Sequence, residues 1–102
     1  MHRLFILFVL LCSACCKEAE IPHASRGLYS NDHREKTKAL QVLAQCGVKA
    51  EPSVQRIAAL MYDKNVGVAS AAAYALRKID SKEAREALKT AEDARASNRK
   101  RP

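Results

Sequence analysis

The amino-acid sequence predicts an all-α fold, a short α-solenoid of two helical hairpins that follows a signal peptide and a flexible tether. Apolar residues recur at the spacing of one helical face over residues 66–79 and again over 81–96. A shift of 33 residues lays a weaker upstream copy, starting at residue 32, on the stronger one, and such a period is typical of helical repeat proteins. Because the chain has three tyrosines, two phenylalanines and no tryptophan, its core must be built from closely packed aliphatic side chains.

The first fourteen residues are predicted to be a signal peptide. A short basic start at His2 and Arg3 precedes an unbroken apolar run over residues 4–11, and small residues follow. Eight residues of helix span only about 12 Å, which is too short to cross a hydrocarbon core of about 30 Å. We therefore expect export to the periplasmic or cell-surface side of a bacterial membrane, or secretion.

Residues Ser13, Ala14 and Cys15 resemble the end of a bacterial lipobox, in which two small residues precede the cysteine that receives lipid. The resemblance implies that Cys15 is the lipid-attachment residue and becomes the mature N-terminus, since the thiolate is the nucleophile. Several acyl chains on that residue would give stable membrane attachment, which a single chain does not. The alternative is ordinary cleavage after Ala14, which would release a soluble secreted protein.

The remaining cysteines indicate neither a metal site nor a cofactor site. Cys12 and Cys15 have the spacing of a Cys-x-x-Cys motif, but no second ligand pair follows and Cys12 would leave with the signal peptide. Cys46 falls on the inward-facing side of the first predicted helix, where a thiol behaves as a small apolar group. An oxidising compartment allows a disulfide between Cys16 and Cys46, and the sequence leaves that pairing open.

Residues 15–31 are predicted to form the lipidated N-terminus and a flexible tether, because they lack periodicity and contain both proline and glycine. The first hairpin is predicted from helices over 32–46 and 52–62. Asp32 is the expected N-cap of the first of these helices, with Glu35 in the capping-box position.

The second hairpin is predicted from helices over 66–79 and 81–96. Asn65 is the expected N-cap of the first helix. Asp80 and Glu83 form a capping-box pattern for the second helix.

The first helix of this second hairpin resembles a HEAT-type repeat of the phycobilisome-lyase-like kind, which reads Val-Arg-x-x-Ala-Ala-x-Ala-Leu. The matching positions are Val68, Ala69, Ala72, Ala73, Ala75 and Leu76, with alanine at the arginine position. The resemblance implies a HEAT-like repeat domain over residues 32–96 that mediates protein–protein interaction. Chance similarity among alanine-rich amphipathic helices is the alternative.

The formal net charge is +7, and +6 remains once Arg3 leaves with the signal peptide; half of that excess lies in residues 97–102, a basic tail that is predicted to be disordered. The other charges are spread over the helices, so nucleic acid is not expected as a partner. The sequence has no catalytic constellation and no glycine-rich phosphate loop, so an enzyme is not expected.

We therefore expect a lipid-anchored or secreted module that binds an unidentified envelope protein or a second copy of itself. The expected interaction surface includes Leu60, Tyr62 and Tyr74, because Leu60 and Tyr62 lie outside the best apolar stripes of the first hairpin. The alternative function is a binder of anionic lipid or polyanions that acts through the basic tail, with the helices as a scaffold.

Overall fold

The computed structural model describes residues 16–99, which are helical almost throughout and include no strand. The prediction of an all-α fold is therefore confirmed. The α-helices are α1 (Ile21–Gly27), α2 (His33–Cys46), α3 (Val54–Leu60), α4 (Val66–Ile79) and α5 (Lys82–Arg99). Short 3-10 segments precede α1 (Glu18–Glu20) and α3 (Gly47–Ser53). None of the helices within residues 16–99 has both the length and the apolar character needed to cross a bilayer.

Helices α2 and α4 are equivalent in length and in how they begin. Each has 14 residues, and their first and last residues are separated by the same 33 positions that relate the two sequence copies. The Asp32 side chain accepts a hydrogen bond from the Arg34 amide at 2.9 Å, and the Asn65 side chain accepts one from the Val68 amide at 3.1 Å. Both predicted N-caps are thus present, and each satisfies an amide that the helix itself leaves unpaired.

Both helices end at a residue with positive φ. Gly47 follows α2 with φ 59° and ψ −134°, a conformation that glycine adopts readily, and Asp80 follows α4 in the left-handed helical conformation, with φ 50° and ψ 33°. Each of these residues stops its helix and turns the chain toward the next one. The predicted capping box at Asp80 and Glu83 is wrong, because Asp80 is the C-terminal capping residue of α4 and not the N-cap of α5. Ser81 caps α5 instead, since its Oγ accepts a hydrogen bond from the Ala84 amide at 3.1 Å.

The core lies between α2, α3 and α4. Helix α2 packs along α4, α3 and α5 each pack against α4 and against one another, and α1 packs on α2. The largest fully buried side chains are Leu28, Leu40, Leu43, Ile57, Val68 and Leu76. Most of them belong to the apolar stripes that the helical spacing predicts, so burial follows the period of 3.6 residues.

The segment predicted as a flexible tether is folded over most of its described length. Helix α1 lies within it, and Ala24 and Leu28 are buried against the core. Gly27 permits this close approach, because a Cβ at that position would lie 3.1 Å from the Ala39 Cβ. A disulfide joins Cys16 to Cys46 at the end of α2 and fixes the start of the segment. The prediction failed because a seven-residue helix is too short to show a periodic pattern.

Polar contacts hold the end of α1 against the segment that leads into α3. The Ser25 and Ser53 hydroxyl groups are 2.8 Å apart, and Arg56 donates a hydrogen bond to the Leu28 carbonyl at 3.2 Å. The Arg56 guanidinium also lies 4.3 Å from the centre of the Tyr29 ring, within the range of a cation–π interaction. Helix α1 is therefore held against the start of α3 as well as against α2.

The predicted disordered tail is also helical in its first part. Helix α5 continues to Arg99, and every residue over 92–99 is exposed. Alanine and arginine favour helix, so the chain continues α5 beyond its last buried side chain, Ala91. The rest of the predicted tail, residues 100–102, lies outside the described residues.

Candidate interaction surfaces

The three residues expected to form one interaction surface are found in different environments. Leu60 is only 3% exposed, whereas Tyr62 and Tyr74 are 62% and 52% exposed. Leu60 therefore belongs to the core and its inclusion in the surface is wrong. It lies three residues after Ile57, so both side chains share the buried face of α3.

Tyr62 and Tyr74 are presented on different parts of the molecule. Tyr62 lies in the loop after α3, beside Asp63, whose carboxylate pairs with Lys36 Nζ at 2.9 Å. Tyr74 lies on α4, about 12 Å along the helix axis from its first residue, Val66. We therefore treat Tyr74 with its neighbours on α2 and α4, and not with Tyr62.

Helices α2 and α4 pack side by side, and we call the exposed residues along the two helices the α2–α4 face. Its members are Arg34, Lys38, Gln41 and Gln45 on α2 and Ser70, Tyr74, Arg77 and Lys78 on α4. Three- and four-residue steps place each set along one line of its helix. A shallow depression of about 490 Å³ lies between the two lines, lined by Gln41, Ala44, Gln45, Tyr74 and Lys78.

The α2–α4 face is positively charged. It has four cationic side chains and no carboxylate, and α4 contains no acidic residue at all. The ion pairs among residues 16–99 use Lys36, Lys49 and Arg85 and none of those four cations. Lys78 Nζ lies 5.5 Å from the centre of the Tyr74 ring, so the aromatic side chain has a cation beside it.

Glu35, the single acidic residue of α2, serves a structural role beside α1. Its carboxylate accepts a hydrogen bond from the Ser30 hydroxyl at 2.6 Å, and Ser30 Oγ in turn accepts one from the Asp32 amide at 3.1 Å. Glu35 thus stabilises the turn between α1 and α2. It does so in place of the predicted capping box, in which it would have bonded the Asp32 amide.

A groove of about 840 Å³ separates α1 from α2. Its lining includes Ala19, His23, Gly27, Glu35, Lys38 and Val42. The lining is chemically mixed, and His23 is its only imidazole. The described part of the chain has no group of three or more histidine, cysteine, aspartate or glutamate side chains arranged to hold a metal ion.

The C-terminal ends of α2 and α4 lie together, at what we call the disulfide end of the domain, made of residues 16–18, 46–51 and 78–83. The Cys16–Cys46 disulfide brings the first two segments together. The third is adjacent, because a Cβ on Gly47 would lie 3.8 Å from the Lys78 carbonyl oxygen.

Charges at the disulfide end are paired or closely balanced. Lys49 Nζ lies 2.7 Å from the Glu18 carboxylate, and this hydrogen-bonded pairing lowers the pKa of Glu18. Glu51 and Glu83 also meet here. A hydrogen bond with Glu51, together with the repulsion of its charge, raises the pKa of Glu83. Val48, the residue before Lys49, is 67% exposed, although it is a branched apolar residue.

Comparison with protein-family models, curated proteins and solved structures found no match.

The residues of the α2–α4 face can be predicted in part from the sequence. The 33-residue shift aligns Gln41 with Tyr74 and Gln45 with Lys78, and equivalent positions of stacked repeats lie side by side. Cys15 and the predicted signal peptide lie outside the described residues.

Proposed function

We propose that the protein is a membrane-anchored helical-repeat module that binds another envelope protein through its α2–α4 face. The observation that carries the proposal is the face itself, which has four cationic side chains and an exposed tyrosine beside the depression between α2 and α4. Tyrosine and arginine are, with tryptophan, the residue types enriched among energetically dominant interface positions. Complementary charge on the partner would speed encounter and select against wrong partners.

The repeat interpretation is supported by the equivalence of α2 and α4. The two helices agree in length, in N-cap position and in having a residue with positive φ directly after the helix, at a constant spacing of 33. On this interpretation α2–α3 and α4–α5 are two HEAT-like hairpins. Repeat proteins of this architecture use the surface built by successive equivalent helices for binding.

The chemistry of the α2–α4 face favours a different protein over a second copy of this chain. A two-fold symmetric dimer places the same patch of both copies in contact, so cations would face cations. The better partner is an acidic protein surface with an apolar recess that accepts Tyr74. Arginine at position 77 is suited to paired hydrogen bonds with a carboxylate on that surface.

Anchorage rests on the sequence at Cys15. A lipid there would keep the domain at the membrane surface and limit its partners to proteins at the same surface. Confinement of both proteins to one surface raises the effective concentration of each for the other. A moderate affinity of the α2–α4 face for the partner would then be enough to maintain the complex.

Site-specific photocrosslinking in exporting bacterial cells tests the proposed face. We expect a photoreactive phenylalanine analogue at position 74 to give an adduct of one defined mass. The same analogue at position 62 is the matched control, because it replaces a tyrosine of similar exposure elsewhere on the domain. Charge reversal by Arg77→Glu and Lys78→Glu should abolish the adduct from position 74. Equal adducts from both positions, or none from position 74, would contradict the proposal.

The alternative function, binding of polyanions through the basic tail, is favoured by the exposure of residues 92–99 at the end of α5. Deleting residues 97–102 separates the two functions. If the α2–α4 face is the binding site, the deletion leaves the adduct from position 74 intact. If the tail drives binding, the deletion abolishes salt-dependent attachment to anionic vesicles, whereas the reversals at Arg77 and Lys78 leave it largely unchanged.

A further inference from the structure

We infer that the disulfide end of the domain rests against the membrane surface, with Val48 at the boundary between water and lipid. The inference depends on the proposed lipid at Cys15. It adds an orientation, since an anchored protein on a flexible tether has no preferred side toward the membrane.

Because of the disulfide, only the step from residue 15 to residue 16 separates the proposed lipid from the folded domain. Neighbouring Cα atoms are about 3.8 Å apart, and the Cα atoms of Cys16 and Cys46 are separated by 4.8 Å. The residue that directly follows the proposed lipid site, Cys16, is therefore fixed at the end of α2. A flexible tether over residues 15–31 would instead have a reach of about 20 Å. Acyl chains on residue 15 thus bring this particular end of the domain to the bilayer.

The composition of the disulfide end suits contact with lipid headgroups. Its cations are Lys17, Lys49, Lys78 and Lys82, and its acidic residues are Glu18, Glu51, Asp80 and Glu83. The formal charges balance, so the end is not repelled by a neutral or an anionic surface. We therefore expect docking to need the lipid anchor but not anionic lipid, which distinguishes it from attachment through the basic tail.

Val48 is the apolar side chain placed to enter the interface. It follows Gly47 directly, two residues after the disulfide-bonded Cys46, and most of its surface is open to water. Transfer of an exposed apolar side chain to the headgroup boundary is favourable, and such groups lie about 5–10 Å into that boundary in membrane-surface proteins.

The opposite end of the domain supplies an internal comparison. Val66 begins α4 and is 77% exposed, and α4 runs about 20 Å from there to its end beside Gly47. With the disulfide end on the membrane, Val66 points into the aqueous phase. Most of the α2–α4 face, including Tyr74, then lies between the two ends and remains open to a partner, and Lys78 lies where that face meets the disulfide end.

Tryptophan fluorescence tests this orientation, because the chain contains no tryptophan of its own. The full chain is produced with either Val48→Trp or Val66→Trp, processed and lipidated in bacteria, and reconstituted into phosphatidylcholine vesicles with brominated acyl chains. We expect bromine to quench the emission at position 48 by about half and to leave position 66 nearly unchanged, given the depth of interfacial groups. The two substitutions match in residue type and in exposure.

The disulfide is tested by the double change Cys16→Ser and Cys46→Ala in both tryptophan backgrounds. With the lipid retained, the difference in quenching between positions 48 and 66 should shrink, because residues 16–20 before α1 are then no longer fixed to the end of α2. Helix content measured by circular dichroism verifies that this variant is folded. The comparison of quenching at positions 48 and 66 in the disulfide-bonded protein does not depend on whether this variant folds.

The outcomes separate the inference from the proposed anchorage. Equal quenching of the two reporters in a lipidated, disulfide-bonded protein overturns the orientation and leaves the anchor standing. Absence of lipid on Cys15 overturns both. Quenching at position 48 that appears only in vesicles containing phosphatidylglycerol, and that is lost on deletion of residues 97–102, overturns docking through the disulfide end and assigns contact to the tail.

Discussion

Removing the disulfide is expected to cost the domain a large share of its stability. The change is Cys16→Ser with Cys46→Ala, in which alanine keeps the buried position at the end of α2 apolar. The bond joins residues 30 positions apart, and the chain-entropy relation for a loop of that length gives about 3.6 kcal/mol. A domain of about 80 residues has a total stability of roughly 4–12 kcal/mol, so the loss is severe.

Urea unfolding followed by circular dichroism at 222 nm measures this loss. The chain lacking the predicted signal peptide, with Cys15→Ser to exclude lipid, is compared in oxidised and reduced form and with the double variant. For a slope of about 1–1.5 kcal/mol per molar urea, the midpoint should fall by roughly 2–4 M. The reduced protein and the double variant should coincide, and the variant should not respond to reductant.

A midpoint that changes by less than about 0.5 M would refute the reasoning, because closing this loop would then restrict the unfolded chain far less than the relation requires. It would also weaken the inferred orientation. A connection that contributes no stability is not expected to hold the start of the chain against α2.

Three further changes test the packing and electrostatics. Leu76→Ala should destabilise the fold by about 2–5 kcal/mol, because Leu76 is fully buried. Ser70→Ala, on the exposed side of the same helix, is the control and should change the stability little. Thermal unfolding compares the two variants. Asp80→Gly should stabilise by up to about 1 kcal/mol, since glycine adopts the left-handed backbone without strain, and a fall in the unfolding midpoint would contradict this. The hydrogen bond from Lys36, followed by that from the Asn65 amide, lowers the pKa of Asp63 below its ordinary 3.8. The contribution of Asp63 to the free energy of unfolding is therefore fully present above pH 3.8 and is lost as the pH falls through the lower pKa of the folded state. Asp63→Asn should therefore flatten the stability–pH curve below pH 4, and an unchanged curve would exclude this role.

The parts of the fold that the sequence predicted are those governed by local rules. Helices α2 and α4 were predicted nearly to the residue, because an N-cap, an apolar stripe and a terminating residue occur in each at a fixed spacing. Asp32 and Asn65 were correct as caps for the same reason. The apolar stripe containing Val68 and Leu76 is buried as its spacing requires.

The parts that the sequence did not predict depend on contacts between distant residues. Helix α1 is too short for periodicity, and its position follows from the Cys16–Cys46 disulfide and from burial of Leu28. The prediction for Leu60 is wrong because the apolar stripe predicted for α3 omits it, although it lies three residues after Ile57 on the buried face. The α2–α4 face required knowing that the two helices pack side by side.

Mass spectrometry of the mature protein, purified from bacterial membranes without reductant and digested with trypsin, tests the proposed anchorage most directly. The account predicts an N-terminal peptide of residues 15–17 that carries acyl chains on Cys15. It also predicts that Cys16 links this peptide by a disulfide to the peptide of residues 39–49, which contains Cys46. An unmodified Cys15, or a precursor that retains residues 1–14, would contradict the account.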